Sequence, residues 1–157
     1  MAYIAGGYTA SWNSLALGQA ENGYTTSHSC AIEQVTGDTY GDTAQDGVYR
    51  GVPDFDISWR GIEFNAAGMQ TAFWPWSATI YTLGVPGRLA VGSSLAKALV
   101  LTAVSGTTAA TVPATLTFTY AIIKEGFPVE LLYAPSLRYV PMRMRIYPNS
   151  GVFGTIT

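Results

Sequence analysis

The chain has 157 residues, enough for one domain with a sizeable core, and 48% of them are apolar while only 11% are charged, where roughly 25% is usual for a soluble globular protein. A net charge of −2 and a pI near 5.2 work against tight nucleic-acid binding, which rests on neutralising phosphates with Lys and Arg. The best apolar run, Ala98 to Val104 behind Lys97, falls short of the about 18 residues that a membrane helix needs.

A free monomer covers itself with charges, so a surface this poor in them is expected to be covered by protein instead, first of all by copies of the same chain. A single domain over residues 1–157 is expected. Met1 to Gly18 has no basic residue ahead of an apolar stretch, so no secretory signal is expected. Cys30, the one cysteine, excludes an internal disulfide and fits a reducing compartment, where it reads as a small hydrophobe. Residues 1–56 carry seven acids and one base, and residues 137–157 carry three arginines and no acid. The two ends are therefore complementary in charge and are expected to meet, within a subunit or between neighbours.

Eighteen Thr and seventeen Gly, many of them alternating with apolar residues, point to a β protein. In chain order, GYTTSHSCAIEQV is the first strand read, with Tyr24, Thr26, His28, Cys30 and Ile32 on one side. The glycine-rich stretch from Asp38 to Gly51 reads as a loop, because Gly37, Gly41 and Gly47 disfavour a helix there. DFDISWRGIEF alternates through Phe55, Ile57 and Trp59 and changes phase at Gly61, as a β-bulge would. NAAGMQTAFWPW reads as the one helix, with Asn65 as cap and Pro75 as stop.

KALVLTAV is read as a buried strand, TLTFTYAII as an alternating one with Leu116, Phe118, Tyr120 and Ile122 on one face, and PVELLYA as a short one. In LRYVPMRMRIYP, Met142, Met144 and Ile146 form an apolar face opposite Arg143, Arg145 and Tyr147, and Pro141 marks an edge or a strand start. Strands with one short flanking α-helix predict a mainly β fold, a β-sandwich or partly open barrel.

The constellations that carry chemistry are weak. Asp38, Asp42, Asp46, Asp54 and Asp56 are half of the chain's ten acids, but Tyr49 stands where a calcium loop of the EF-hand type needs its Glu. Asp54 and Asp56 share a strand face, about 6.6 Å apart by ordinary rise; a glycosidase uses a carboxylate pair, yet the polar face of a half-buried strand explains them better. His28 lies between Ser27 and Ser29, which point away from it on a strand, so no nucleophile and base are aligned. His28 and Cys30 together fall short of a zinc site. GVPG before Arg88 is a weak match to an RNA-clamping loop. Trp12, Trp59, Trp74 and Trp76 fit either a stacking platform for sugars or single strands or core and interface filling, which the scarcity of bases favours. No enzyme, cofactor or metal is expected.

YTASWNSLALGQAENGY, YGDTAQDGVYRG, FWPW and RYVPMRMRIYP, in this order over most of the chain, resemble the major tail tube proteins of long non-contractile-tailed bacteriophages and related prophages. The resemblance implies a structural virion protein without catalytic residues: a small β-sandwich with a flanking helix that forms hexameric rings, whose inner strands join into a closed barrel. The rings stack into a hollow tail tube, assembled in the host bacterial cytoplasm, through which DNA leaves without specific binding. The implied partners are copies of the chain and other phage tail proteins. In that family the loop after the second strand reaches a neighbour, which by resemblance puts Asp38, Tyr40, Asp42, Asp46, Tyr49 and Arg50 at the subunit interface; charge complementarity, apart from the resemblance, makes Arg143 or Arg145 of another copy the expected charge partner. A tail terminator, a head-to-tail joining protein or a capsid decoration protein is the alternative within the same class, and a carbohydrate-binding β-sandwich the alternative outside it.

Overall fold

The computed structural model describes residues 7–36, 46–63, 92–104, 114–124 and 139–157. The elements are β1 (Tyr8–Trp12), β2 (Leu15–Val35), β3 (Asp46–Gly61), α1 (Gly92–Leu95), β4 (Lys97–Ala103), β5 (Thr115–Ile123), β6 (Val140–Tyr147) and β7 (Gly154–Ile156). The protein is mainly β, as the alternation of Thr and Gly with apolar residues predicts.

The chain turns from β1 into β2 through Asn13 and Ser14, both with positive φ (51° and 64°). That is the primed two-residue turn whose twist matches its strands, and Asn is the residue that best tolerates it. Antiparallel pairing then runs β4-β1-β2-β3-β6-β5, and β4 pairs with β5 as well. Six strands therefore close on themselves. Where a sandwich or a partly open barrel is expected from sequence, the described residues form a closed barrel, which leaves β4 and β5 with no open edge between them.

The core is the inside of this barrel, with Trp12, Leu17, Ile57, Leu99, Met142 and Met144 almost wholly buried. Each aliphatic side chain so buried contributes about 1.5–3 kcal/mol relative to exposure. Trp12 also carries a polar atom inward, and its indole Nε1 donates to the Ala121 carbonyl at 2.8 Å. Among the described residues the barrel interior is filled by side chains and forms a packed core.

The β6 alternation is as the sequence predicts: Met142, Met144 and Ile146 point in, Arg143, Arg145 and Tyr147 point out, and Pro141 is the second residue of the strand. In β5 the expected single phase holds only to Phe118. The pairing with β4 shifts between Lys97 and Leu99, and from there Ala121 faces the core at 0% exposure. The slip expected at Gly61 is instead the end of β3. The remaining edge of β5 is shared, with β6 covering Tyr120–Ile123 and β7 covering Leu116–Phe118. Between them Asn149 and Val152 exchange backbone hydrogen bonds across a tight turn, so β7 resumes the line that β6 leaves. The expected helix at NAAGMQTAFWPW and the strand at PVELLYA lie outside the described residues, and α1 is a single turn against β5.

Candidate assembly interface

β2 and β3 are far longer than the barrel needs. β2 pairs with β1 only over Leu15–Gln19, and β3 pairs with β6 only over Phe55–Gly61, while β2 and β3 stay paired with each other out to Val35 and Asp46. The outer half of this hairpin is an arm beyond the barrel, bounded by Ser29–Val35 on one strand and Asp46–Asp54 on the other. Asp46 to Gly51 thus belong to a strand. Their expected place in a loop is corrected by the ladder, in which Tyr49 faces Ile32 and Val48 faces Glu33. Gly47 belongs in that ladder because the Ile32 side chain lies across it, so close that a Cβ at Gly47 would stand 2.5 Å from Ile32 Cδ1.

Two bulges shape the hairpin. Residues 21–23 of β2 stand opposite Arg60 alone, and residues 51–53 of β3 stand opposite Cys30 alone. Each bulge holds a glycine at positive φ, Gly23 at 81° and Gly51 at 68°, a conformation that side chains with a Cβ resist. The second bulge lies where the arm leaves the barrel.

The arm is apolar on the outside. Ile32 (53%), Val48 (53%), Tyr49 (69%) and Val35 are all exposed. Ile32 and Tyr49 share one face; Val48 and Val35 share the other with Glu33 and Arg50, which form an ion pair. An isolated two-stranded ribbon is marginal in water at best, and this one shows apolar side chains on both faces, with edges that pair with no other strand among the described residues.

On the outer face of β3 and β6 the arginines and aspartates pair within the chain. Asp56 is 6% exposed, and its Oδ2 accepts from Arg143 at 2.8 Å and from Lys124, while Oδ1 has no hydrogen-bond partner among the described residues. Burial alone pushes the Asp56 carboxyl up, but the hydrogen bonds and charges of Lys124 and Arg143 together outweigh it and hold the carboxyl below its usual range. Asp54 accepts from Arg145 at 2.7 Å, and Arg145 lies over the Tyr147 ring. Arg60 pairs with Glu21 at 3.3 Å and stacks on Tyr139, 4.4 Å from the ring centre. The complementary chain ends thus meet within the subunit.

Of the residues expected at a subunit interface, Asp46, Tyr49 and Arg50 lie exposed on the arm, whereas Asp38, Tyr40 and Asp42 lie outside the described residues. Arg143 and Arg145, expected as charge partners for a neighbour, are held by Asp56 and Asp54 of their own chain. Asp56, ionised and clamped by cations, lacks the raised pKa that a general acid requires. His28 is exposed and stacks at 6.4 Å on Phe55; Cys30 is half-buried and free. Trp12 and Trp59 are core residues, as core filling requires, while Trp74, Trp76 and Arg88 lie outside the described residues. No cluster of three or more His, Cys, Asp or Glu suited to a metal ion occurs among the described residues, and no described helix is long and apolar enough to cross a membrane. Lys124, Glu33 and the apolar arm residues Ile32, Val35 and Val48 carry the surface chemistry without having been singled out from sequence. Their signal is apolar residues at both parities of one strand, which no single buried face explains.

Comparison with known protein families, with characterised proteins and with solved structures finds no match to this chain.

Proposed function

We propose that the protein is a structural subunit that assembles with its own copies into rings, and that the rings stack into a hollow tube of the kind that forms the tail of a long non-contractile-tailed phage. The observation that carries this reading is the arm, with Ile32, Val35, Val48 and Tyr49 turned to solvent on a two-stranded ribbon of the kind that is marginal by itself. A neighbour that covers the arm gains about 25 cal/mol for each Å² of apolar surface removed from water, and the edges at Ser29–Val35 and Asp46–Asp54, unpaired among the described residues, offer strand addition as well.

A low charge density supports the same reading, since a chain covered by copies of itself has less need of ionic solvation. The order of motifs that resembles tail tube proteins supplies the particular assembly, and its lumen, poor in bases, lets DNA pass without gripping its phosphates.

Sedimentation velocity and negative-stain microscopy of the purified chain test the proposal. Long hollow rods that grow with concentration are expected. Single rings that do not stack point to a terminator or joining protein instead. A monomer at every concentration and salt level overturns self-assembly altogether.

A further inference from the structure

A cavity of about 360 Å³ lies on the outer face of β2, β3 and β6, lined among others by Asn22, Thr25, Ser58, Arg60 and Arg143. Thr25, Ser58 and Arg143 stand directly opposite one another in one row across the three strands. Ser58, small and half-buried, makes the floor. The Gly23 bulge beside it moves Asn22 and Gly23 out of the regular ladder and gives the depression a wall.

Among the described residues the lining includes Arg60 and Arg143 and no Asp or Glu, although each guanidinium touches one carboxylate beside it. Each guanidinium has five N–H donors. Arg60 places one terminal nitrogen on Glu21 and rests on Tyr139, and Arg143 places one on Asp56. Those contacts fix both groups in position and leave further donors on each. Trp59, Pro141 and Met142 complete an apolar part of the lining, and the donors left on the two guanidinium groups are what the depression offers to an oxyanion.

We propose that this cleft receives a carboxylate from a second copy of the chain, and that the acid is Asp46 at the end of the arm. This rests on the self-assembly reading above. Charge and place together select the occupant: among the described acids Asp46 and Glu63 are exposed with no ion pair, and Glu63 lies against Gly18 and Gln19 at the barrel while Asp46 stands at the end of the arm. Asp46 cannot reach the cleft of its own subunit. It pairs with Val35, ten residues along β2 from Thr25, which is about 33 Å of strand. Donor and receiver therefore lie far apart along one hairpin, and where the contact is not returned by the same pair of chains it is heterologous and repeats from subunit to subunit, as growth into a ring or a filament requires.

A charge exchange tests the assignment, read by sedimentation with circular dichroism as the control for folding. Arg60→Glu and Asp46→Lys are each expected to weaken association by about tenfold or more, because a like charge then faces the cleft or its ligand. Thr25→Glu, which places an acid in the cleft and leaves both arginines intact, is expected to do the same. An equal mixture of the Arg60→Glu and Asp46→Lys chains is expected to co-assemble, since each arm then finds an opposite charge on the other variant. Wild-type assembly that persists unchanged in Arg60→Glu and Thr25→Glu, or two defective variants that fail to rescue each other, overturns this contact and leaves self-assembly standing. A wild-type chain that never associates overturns the reading beneath it.

Discussion

Arg143 of β6 and Asp56 of β3 meet at 2.8 Å across the sheet, and the carboxyl oxygen between them is shared with Lys124. Because the cations hold the Asp56 carboxyl below its usual range, the folded chain binds this proton more weakly than the unfolded chain does. The stabilisation is therefore fully present above the unfolded carboxylate range, near pH 4, and is lost as pH falls through the folded value. Asp56→Asn is expected to lower stability at pH 7, by about 3 kcal/mol. The lower end of the range for a broken buried pair applies, since Lys124 and Arg143 are partly exposed and rehydrate. Urea unfolding from pH 7 to pH 3 checks this: the gap between wild type and variant should close on the acid side.

A second relationship spans the barrel interior, where Trp12 of β1 donates to the Ala121 carbonyl of β5. Trp12→Phe keeps most of the apolar volume but leaves that carbonyl without its donor in a buried setting. The expected loss is about 1–3 kcal/mol for the unsatisfied group, with a further contribution from the space left by the smaller ring. Trp12→Ala is expected to cost more, about 3–5 kcal/mol. Denaturant midpoints measured at constant slope separate these from a change in the unfolded chain.

The barrel staves were legible wherever burial is one-sided. In β6 and in the inner half of β3, every second residue is apolar because one face meets the core, and Met142, Met144, Ile57 and Trp59 could be read off by parity. Closure was not legible, because it depends on β4 meeting β5, and a strand's pattern records only which face is buried and not which neighbour lies beside it. Local pattern also hid the β1–β2 hairpin, although Asn13 and Ser14 between apolar residues are its signal. The arm misled for a physical reason. Strands normally reveal themselves by a buried face, and between Asp46 and Gly51 neither face is buried in the subunit, so glycine content alone suggested a loop. Clustered acids did point to that segment as a surface feature. Their supposed partners, Arg143 and Arg145, proved to be engaged at home, and position in the ladder, which no charge count contains, decided that.

Gly51 joins the arm to the barrel with φ of 68° and open space around its Cα. Gly51→Ala meets no neighbour, so its cost is conformational, about 1–2 kcal/mol for a residue with a Cβ in the left-handed region. The strain lies at the root of the arm and outside the packed core. The variant is therefore expected to keep the barrel's unfolding transition nearly intact while the arm changes direction. Amide exchange checks this: protection in β1, β4 and β5 should match wild type, and protection in Ala31–Val35 should fall.

Ile32 and Tyr49 are directly opposed on one face of the arm and more than half exposed. In the isolated subunit they make the cross-strand pair that helps hold the ribbon together, a contribution of about 0.2–1 kcal/mol. In an assembly they would be the largest apolar surface that the arm presents. The two roles separate under substitution. Tyr49→Ser is expected to change the unfolding free energy of the chain by no more than about 1 kcal/mol, the most that the cross-strand pair contributes, because the barrel core does not touch it. Loss of a buried aromatic anchor from a contact between subunits weakens that contact far more, by about 2 kcal/mol or above, which is thirtyfold in association. Comparing urea unfolding with sedimentation of the same variant reads both. A variant as prone to assemble as the wild type would place the contact elsewhere, and one that assembles less while unfolding at the wild-type midpoint assigns the exposed face of the arm to the interface.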